Sequence, residues 1–293
     1  MRIAELYNGG NNKPVISFEF FRPKTEKAEQ TLSNTIDILS RTRHDYVSVT
    51  FGAGGTTREG SFELIQRLQE AGEPNVVAYI AGMGLSPDDV VQVLDKFKAL
   101  GVETVFVIRG DEPQDAGFAP SPDALPHASD LLAFARDRYD FCLGAAGYPE
   151  GHQEAESLDK DIGYLKLKQD NGAEYIVAQF CLDNRFYHDY VERCRAAGVT
   201  IPIVPGIMPV YSPKMLENLA RVCGASIPDQ VRRDLAAFPE GDKEAVLDYG
   251  IDLATSQCRD LLRNGAPGLH FYTMNRGKSV NAIVNNLEKE GLL

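Results

Sequence analysis

The sequence predicts a single (β/α)8 barrel that occupies residues 1–293 as one domain. Short apolar runs alternate with amphipathic helical segments over the whole chain. About eight such strand–helix units follow one another, and a chain of 293 residues has the length typical of this barrel. No linker rich in proline, glycine or serine interrupts the alternation, so we expect one domain.

The first predicted strand lies in VISFEFFRP, residues 15–23. Alternation along a strand places Ile16, Phe18 and Phe20 on one face and Glu19 on the other. Because burying an unpaired carboxylate is costly, Glu19 is interpreted either as part of a functional site or as one half of a salt bridge.

The remaining units follow in order. The first strand precedes the helical segment TEKAEQTLSNTIDILSRTR. The helix after the third strand has the clearest end signals, with Ser86 at the N-cap, Pro87 in the first turn and Gly101 beyond its end. The other strand and helix segments, in order, are DYVSVTFGAGG, TREGSFELIQRLQEAG, NVVAYIAG, SPDDVVQVLDKFKALG, ETVFVIRGD, HASDLLAFARDRY, FCLGAAGYP, SLDKDIGYLKLKQDNG, EYIVAQFCLD, NRFYHDYVERCRAAG, IPIVPGIMPV, SPKMLENLARVCG, a helical region over 227–264, GLHFYT and NRGKSVNAIVNNLEKEG.

A doubly wound open sheet is the alternative architecture. It would need a glycine-rich phosphate loop after an early strand. Gly52, Gly54 and Gly55 form the candidate, but Thr57 stands where the third glycine of the motif belongs. These glycines are therefore interpreted as a tight turn between strand and helix.

Composition narrows the function classes. A net charge of −12 argues against nucleic acid or an anionic membrane as the main partner, although local arginines and lysines can still hold phosphates. The N-terminal residues lack the apolar core of a signal peptide, and no apolar run is long enough to span a bilayer. The five cysteines form no CxxC pair and are expected to be reduced thiols of a cytoplasmic protein, with no metal site.

Catalytic residues of a (β/α)8 barrel lie at the C-terminal ends of its strands. Of the two carboxylates there, Glu19 in an apolar strand is the better proton donor, and Asp111 beside Arg109 is the better anion. A glycoside hydrolase also uses two carboxylates, but the chain has no tryptophan for a sugar platform. Arginine and lysine near the rim favour an anionic ligand. Unusual polar residues fall at this rim: Glu19, Thr50, Arg109 and Asp111 on either side of Gly110, Tyr148, His152, Gln179, Asn275 and Arg276.

These motifs resemble the methylenetetrahydrofolate reductase family, in the form of the bacterial-length, FAD-dependent catalytic barrel. The matching stretches cover the whole chain in the expected order, and SFEFF, RGD and YPExH together are specific. They read SFEFFRPK, YVSVTFGAGG, VIRGD, HASDL, AAGYPEGHQEA, AQFCLD, VPGIMP and HFYTMNR.

The resemblance implies transfer of a hydride from NAD(P)H to FAD, and from the flavin to 5,10-methylenetetrahydrofolate to give 5-methyltetrahydrofolate. It implies that Glu19 protonates the folate nitrogen that leaves as the five-membered ring opens, and that Asp111 stabilises the resulting cation near the flavin. Implied cofactor contacts are Thr50, Phe51, Ala53, Tyr79, Arg109, Gly110, Asp111, Ala128, Tyr148, His152, Ala155, Asp161 and Lys168, and implied folate contacts are Thr50, Asp111, Gln179 and Arg276. Thr50 and Gln179 are also implied to lie near the nicotinamide.

The sequence departs from the family pattern at several positions. Arg22 replaces a proline, Tyr79 a flavin-contacting histidine and Met215 a folate-contacting glutamine. His127 stands where the family often has tyrosine, and Tyr164 and Leu167 replace polar residues that help hold the phosphate and adenosine portion of the flavin.

The sequence leaves three other functions open: another flavin-dependent barrel such as a proline-dehydrogenase-like enzyme, a hydrolase using Glu19 and Asp111, and a barrel kept as a binding or regulatory module. We expect tetrahydrofolates as ligands, no nucleic acid or membrane partner, and assembly as a homo-oligomer.

Overall fold

The computed structural model describes residues 1–9, 13–51, 58–73, 75–112 and 119–293, and these form a parallel (β/α) barrel. The described strands are β1 Val15–Phe20, β2 Tyr46–Val49, β3 Val76–Ala81, β4 Thr104–Ile108, β5 Cys142–Gly147, β6 Tyr175–Ala178, β7 Ile203–Val204, β8 Gly206–Ile207 and β9 Gly268–Tyr272. The described helices are α1 Ile3–Asn8, α2 Glu26–Leu39, α3 Arg58–Glu70, α4 Pro87–Ala99, α5 Ala128–Arg136, α6 Leu158–Asp170, α7 Asn184–Ala196, α8 Pro213–Cys223, α9 Asp229–Ala237, α10 Lys243–Arg263 and α11 Gly277–Lys289. The predicted fold class is confirmed.

The seventh predicted strand, IPIVPGIMPV, is divided into β7 and β8 at Pro205. Its first part pairs with β6 and its second part pairs with β9, so this strand closes the barrel. Proline has no N–H to donate to a neighbouring strand, but the carbonyl of Pro205 still accepts the amide of His270 at 3.0 Å. Nine described strand segments therefore correspond to the eight predicted strands.

The alternation predicted for β1 is confirmed. Ile16, Phe18 and Phe20 are buried, and Phe18 packs on Phe271 of β9 with 6.1 Å between ring centroids. Glu19 has the opposite parity, so it faces the barrel interior.

Aromatic rings fill the middle of the barrel. Tyr79 and Phe106 are paired across β3 and β4 and stack at 4.4 Å, while Phe106 lies 6.0 Å from Tyr175. A side chain at Gly144 would place its Cβ 2.4 Å from Tyr175 and 2.6 Å from Phe106. Glycine at this position therefore provides the volume that the rings occupy.

Helix α1, which the sequence patterns did not predict, closes the opposite, N-terminal end of the barrel. The amide of Ile3 donates to Oγ1 of Thr104 at 3.2 Å, and the amide of Ala4 donates to Sγ of Cys142 at 3.5 Å. These acceptors lie at the first residues of β4 and β5. A six-residue helix has little stability of its own, so tertiary contacts hold α1 in place.

The region from α8 to α10 builds a second hydrophobic cluster beside the barrel mouth. The predicted helical region 227–264 consists of α9 and α10, separated by a segment that contains Pro239 and Gly241. Tyr272 at the end of β9 packs against this cluster and so connects it with the rim. Buried members are Phe180, Met208, Val210, Leu216, Val231, Leu235 and Val246.

The structure also bears on membrane-spanning helices and on the cysteines. Among the described residues, no helix combines the length and the apolar character needed to cross a bilayer. Four cysteines are buried and Cys223 is partly exposed.

A buried ion pair links the connections that lead into β2 and β3. His44 Nε2 lies 2.6 Å from Oε2 of Glu73, and their side chains are 8% and 5% exposed. Burial by itself would lower the pKa of His44, but the hydrogen bonds to Glu73 and to the Thr42 carbonyl outweigh it and raise the pKa.

We predict that Glu73→Gln lowers the free energy of unfolding by about 1–3 kcal/mol at pH 6, and by less as the pH rises. A raised folded-state pKa means that the stability from protonated His44 is fully present below the ordinary value of 6.5. This stability is lost as the pH rises through the folded-state value. Urea unfolding at pH 6 and pH 9 measures the difference. Glu290→Gln, which breaks the surface pair with Arg259, serves as the control and should show no such trend. An equal loss from Glu73→Gln at both pH values would contradict the assignment.

Candidate active site

Glu19 is nearly the last residue of β1 and lies at the C-terminal mouth of the barrel. Its side chain is 16% exposed, and its carboxylate lies near the phenols of Tyr79 and Tyr272. Burial, followed by the charge of Glu19, raises the pKa of both phenols well above the usual range. Both hydroxyls therefore stay protonated and can donate to a carboxylate.

The backbone around Glu19 is fixed by the loop after β9. Thr273 Oγ1 donates to the Glu19 carbonyl at 2.6 Å. The amide side chain of Asn275 donates to the Phe21 carbonyl at 2.8 Å and accepts the Phe21 N–H at 3.3 Å, as a neighbouring strand would. Asn275 and the preceding Met274 both adopt positive φ, of 53° and 50°. This strained backbone conformation lies in the loop after β9, beside the end of the strand that carries Glu19.

Asp111 lies beyond β4, at the same end of the barrel. Burial, followed by the charges of Asp111 and Glu19, raises the pKa of the partly exposed Cys223 to about 11. Both carboxylates therefore lie within electrostatic reach of one thiol, which places them at a common mouth. Gly110 has φ +84°, and a Cβ there would come within 2.9 Å of Ala81. Glycine thus allows the chain to turn tightly before Asp111.

Arg109 makes its strongest contacts away from Asp111. Its guanidinium forms a two-armed ion pair with Glu154, with Nη2 2.9 Å from Oε1. The expected Arg109–Asp111 proximity is present only as a weaker charge interaction. The pairing with Glu154 instead connects β4 to the loop after β5.

A cationic group lies on that side of the rim. Lys168 of α6 is partly buried, donates to the Ala146 carbonyl at 2.9 Å and lies 5.5 Å from the centre of the Tyr148 ring. Burial lowers the pKa of Lys168 to about 8, although nearby Asp161 opposes this shift. Burial likewise raises the pKa of Asp161, against the charges of Lys168 and His152. The His152 ring packs edge-on against Tyr148 at 4.7 Å.

The residues around Lys168 have the charge, hydrogen-bond donors and aromatic rings that an anionic, aromatic cofactor requires. The Lys168 ammonium has three protons, and the Ala146 carbonyl takes one of them. A phosphate nearby would favour the charged form that burial disfavours. Tyr148 and His152 provide aromatic surface next to this charge, which suits the ring system of a nucleotide cofactor.

The other predicted site residues have these positions. Thr50 and Phe51 follow β2, where Phe51 is buried against Phe97. Gln179 follows β6 and accepts the amide of Phe180 at 3.0 Å. Arg276 is exposed, 5.3 Å from the Tyr211 ring. Ala128 is the first residue of α5, and the Ala155 amide donates to the His152 carbonyl at 2.9 Å. Ala53 lies outside the described residues, as do Gly52, Gly54, Gly55 and Thr57.

Two residues of the β5–α6 loop attach it to the last turn of α8 and to the α8–α9 connection. Both carboxylate oxygens of Glu150 lie 3.0 Å from the Ser226 amide, and Gln153 donates to the Val222 carbonyl at 2.7 Å. Four residues were not among the predicted site residues: Glu150, Gln153, His270 and Tyr272. The alternation in GLHFYT was a usable signal for the last two, because it gives them the same parity.

The departures from the family pattern have distinct surroundings. Arg22 forms an ion pair with Glu63 of α3 and packs against Gly60. Tyr79 is buried inside the barrel, within electrostatic reach of Glu19. Tyr164 and Leu167 are 52% and 44% exposed on α6, the helix of Lys168.

Comparisons with known proteins agree on one family. The model of the methylenetetrahydrofolate reductase family matches residues 2–288. Methylenetetrahydrofolate reductase 1 of Schizosaccharomyces pombe is 35% identical over 98% of this chain and 48% of its own length. The chain thus spans about half the length of this relative. The 5,10-methylenetetrahydrofolate reductase of Escherichia coli is 32% identical over 93% of this chain and 90% of its own.

A solved structure shares the fold. An uncharacterized protein from Clostridium thermocellum that binds two copies of 5-methyl-5,6,7,8-tetrahydrofolic acid has a TM-score of 0.66. The match extends over 98% of this chain and 97% of that protein's chain, with 18% sequence identity.

We predict that Asn275→Gly lowers the free energy of unfolding by about 2 kcal/mol, because two hydrogen bonds to Phe21 are lost. Asn275→Ala should lose about 1 kcal/mol more, since alanine is strained at positive φ and glycine is not. Urea unfolding of both variants measures these losses. The control is Asn34→Ala, which removes an exposed side chain from α2 and should change stability by less than about 0.5 kcal/mol. Losses from the Asn275 variants no larger than the control would refute the role of Asn275.

Proposed function

Because this chain belongs to the methylenetetrahydrofolate reductase family, we propose that it reduces 5,10-methylenetetrahydrofolate to 5-methyltetrahydrofolate, with FAD as cofactor and NAD(P)H as electron donor. The observation that carries the proposal is Glu19, a mostly buried carboxylate inside the mouth of the barrel, with Asp111 at the same rim. The relatives named as NADH enzymes, from maize and Arabidopsis, favour NADH as donor. Under this proposal the protein acts in the cytoplasm as a homo-oligomer.

The residues around Lys168 fit FAD. The ammonium of Lys168 would hold the diphosphate, and Tyr148, His152 and Asp161 would line the cofactor beside it. The chemistry that FAD supplies when bound is transfer of a hydride equivalent between the nicotinamide and the folate. The chain's own contribution is binding, orientation and electrostatics. Ala128, Ala155, Thr50, Phe51, Gly110 and Arg109 are proposed as further cofactor contacts.

Glu19 is proposed as the general acid of the folate reaction. Its carboxyl group would hold a proton and donate it to the folate nitrogen that leaves as the five-membered ring opens. The phenols of Tyr79 and Tyr272 can donate hydrogen bonds to the carboxylate that remains. The surrounding aromatic rings shield the acid from most of the solvent.

Asp111 is proposed to stay ionised at the edge of the mouth. Because ring opening gives a cationic iminium, a carboxylate close to the pterin would stabilise the charge that develops. Gln179, Thr50 and Arg276 are proposed to hold the folate, and the exposed guanidinium of Arg276 suits its carboxylates.

We predict that Glu19→Gln slows the reduction of methylenetetrahydrofolate by roughly 10²–10⁴-fold, the usual contribution of a positioned general acid. The reduction of bound FAD by NADH requires no such proton donor and should keep its rate. Stopped-flow absorbance of the flavin measures each half-reaction separately, with a thermal melt to check folding. Equal losses in both half-reactions, or a fast folate half-reaction, would remove Glu19 from this role.

We predict that FAD affinity falls as the pH rises above about 8, because Lys168 loses its positive charge there. The decrease should approach tenfold per pH unit if one proton on Lys168 controls binding. Equilibrium binding of FAD to the apo-protein, followed by flavin fluorescence between pH 7 and 9.5, measures it. Lys168→Met should bind FAD weakly with no such slope, while Lys166→Met, on the same helix, should behave as the unaltered protein. An unchanged slope in Lys168→Met would assign the effect to another group.

A further inference from the structure

A line of polar side chains runs inside the barrel from the closing helix α1 to Glu19. Tyr7 Oη lies 3.1 Å from Tyr46 Oη, and Tyr46 is the cross-strand partner of Ser17 in the β1–β2 pairing. Ser17 Oγ lies 2.8 Å from Nδ1 of His270. His270 Nε2 lies 3.6 Å from Oε2 of Glu19. We call Tyr7, Tyr46, Ser17 and His270 the axial chain.

The last nitrogen of the axial chain lacks a hydrogen-bond partner. His270 is 1% exposed, and its Nε2 is fully buried without a partner in the described part of the protein. The separation of 3.6 Å exceeds a normal N–H···O hydrogen bond by about 0.5 Å, so the Glu19 carboxylate lies next to Nε2 without bonding it. Leaving a buried N–H without an acceptor is costly. This cost favours a hydrogen bond between His270 Nε2 and the Glu19 carboxylate.

The hydroxyl protons of the axial chain favour one direction. Ser17 Oγ is 2.8 Å from His270 Nδ1 but 3.4 Å from the Leu269 carbonyl, so its proton is better placed on the imidazole side. Each hydroxyl has a single proton. If Ser17 donates to His270, then Ser17 is free to accept from Tyr46, and Tyr46 to accept from Tyr7. Every link then donates towards Glu19, and such chains strengthen one another.

We propose that Tyr7, Tyr46 and Ser17 are positioning residues that hold His270 with its proton on Nε2, facing Glu19. An Nε2–H group stabilises the carboxylate that Glu19 becomes once it has given up its proton, whereas an Nε2 lone pair would repel it. The inference rests on the proposed function for its consequence in catalysis. It also gives α1, at the opposite end of the barrel, a connection to the acid.

Determining the tautomer of His270 tests the axial chain without a measurement of enzyme activity. Nitrogen-15 NMR of protein labelled at its five histidines reports which ring nitrogen carries the proton. The His270 signal is assigned by its absence from His270→Gln. At pH 8 we expect the proton on Nε2 in the unaltered protein. Tyr46→Phe, which takes the donor away from Ser17, should move a measurable fraction to Nδ1, and Tyr7→Phe should have a smaller effect. A proton on Nδ1 in the unaltered protein would overturn the proposal.

The half-reactions test the consequence. Tyr46→Phe should slow the folate half-reaction about fivefold, the effect of one weakened hydrogen bond, and leave FAD reduction by NADH unchanged. Tyr139→Phe is the matched control, because its hydroxyl bonds Asp95 on the outer surface. His270→Leu should slow the folate step by roughly 30-fold or more, and His270→Gln, which keeps an N–H donor, should recover part of that loss.

The outcomes separate this inference from the proposed function. If the unaltered protein reduces FAD but not methylenetetrahydrofolate, the proposed function fails, and the NMR tautomer still decides the axial chain. If the folate reaction is present but Tyr46→Phe and His270→Leu slow both half-reactions equally, the axial chain is only structural and the inference fails. Should His270→Leu not fold, Tyr46→Phe and Tyr7→Phe decide between these outcomes.

Discussion

The pairing of β1 with β9 is the interaction on which the candidate site depends. Its register places Glu19 beside Tyr272 and Ser17 beside His270, on the interior face of the barrel. Because side chains alternate along a strand, a slip of one residue would turn Glu19 into the helix layer. Thr273 and Asn275 hold the end of β1 in this register through hydrogen bonds to Glu19 and Phe21. The site therefore depends on backbone contacts as much as on the acid itself.

The barrel interior is more polar and more aromatic than a layer of branched aliphatic residues. Tyr46, Ser17 and His270 are buried there, and buried polar groups of this kind stabilise a fold only when they bond one another. Glycines supply the necessary volume: a Cβ at Gly206 would lie 2.5 Å from the Tyr272 ring. The short N-terminal helix α1 provides one of these partners, because the hydroxyl of its Tyr7 lies 3.1 Å from that of Tyr46.

The rim has two sides with different chemistry. Lys168 and Tyr148 lie on one side and suit an anionic cofactor, whereas Glu19 and the cluster around α8 and α9 lie on the other. Glu150 connects the two sides through the Ser226 amide. A structural change in the β5–α6 loop can therefore be transmitted directly to the α8–α9 connection, without passing through the barrel core.

Local patterns in the sequence determined the alternation of strands and helices, the interior parity of Glu19 and the Ser86 cap of α4, because each depends on residues close together in the chain. The same patterns placed Asp111 beside Arg109 in the chain, but only the structure shows that the Arg109 guanidinium pairs with Glu154. Closure at Pro205, the docking of α1 and the approach of His270 to Glu19 were decided only by tertiary structure. They join residues up to about 250 positions apart, and no periodicity within a single segment encodes which distant strand becomes a neighbour.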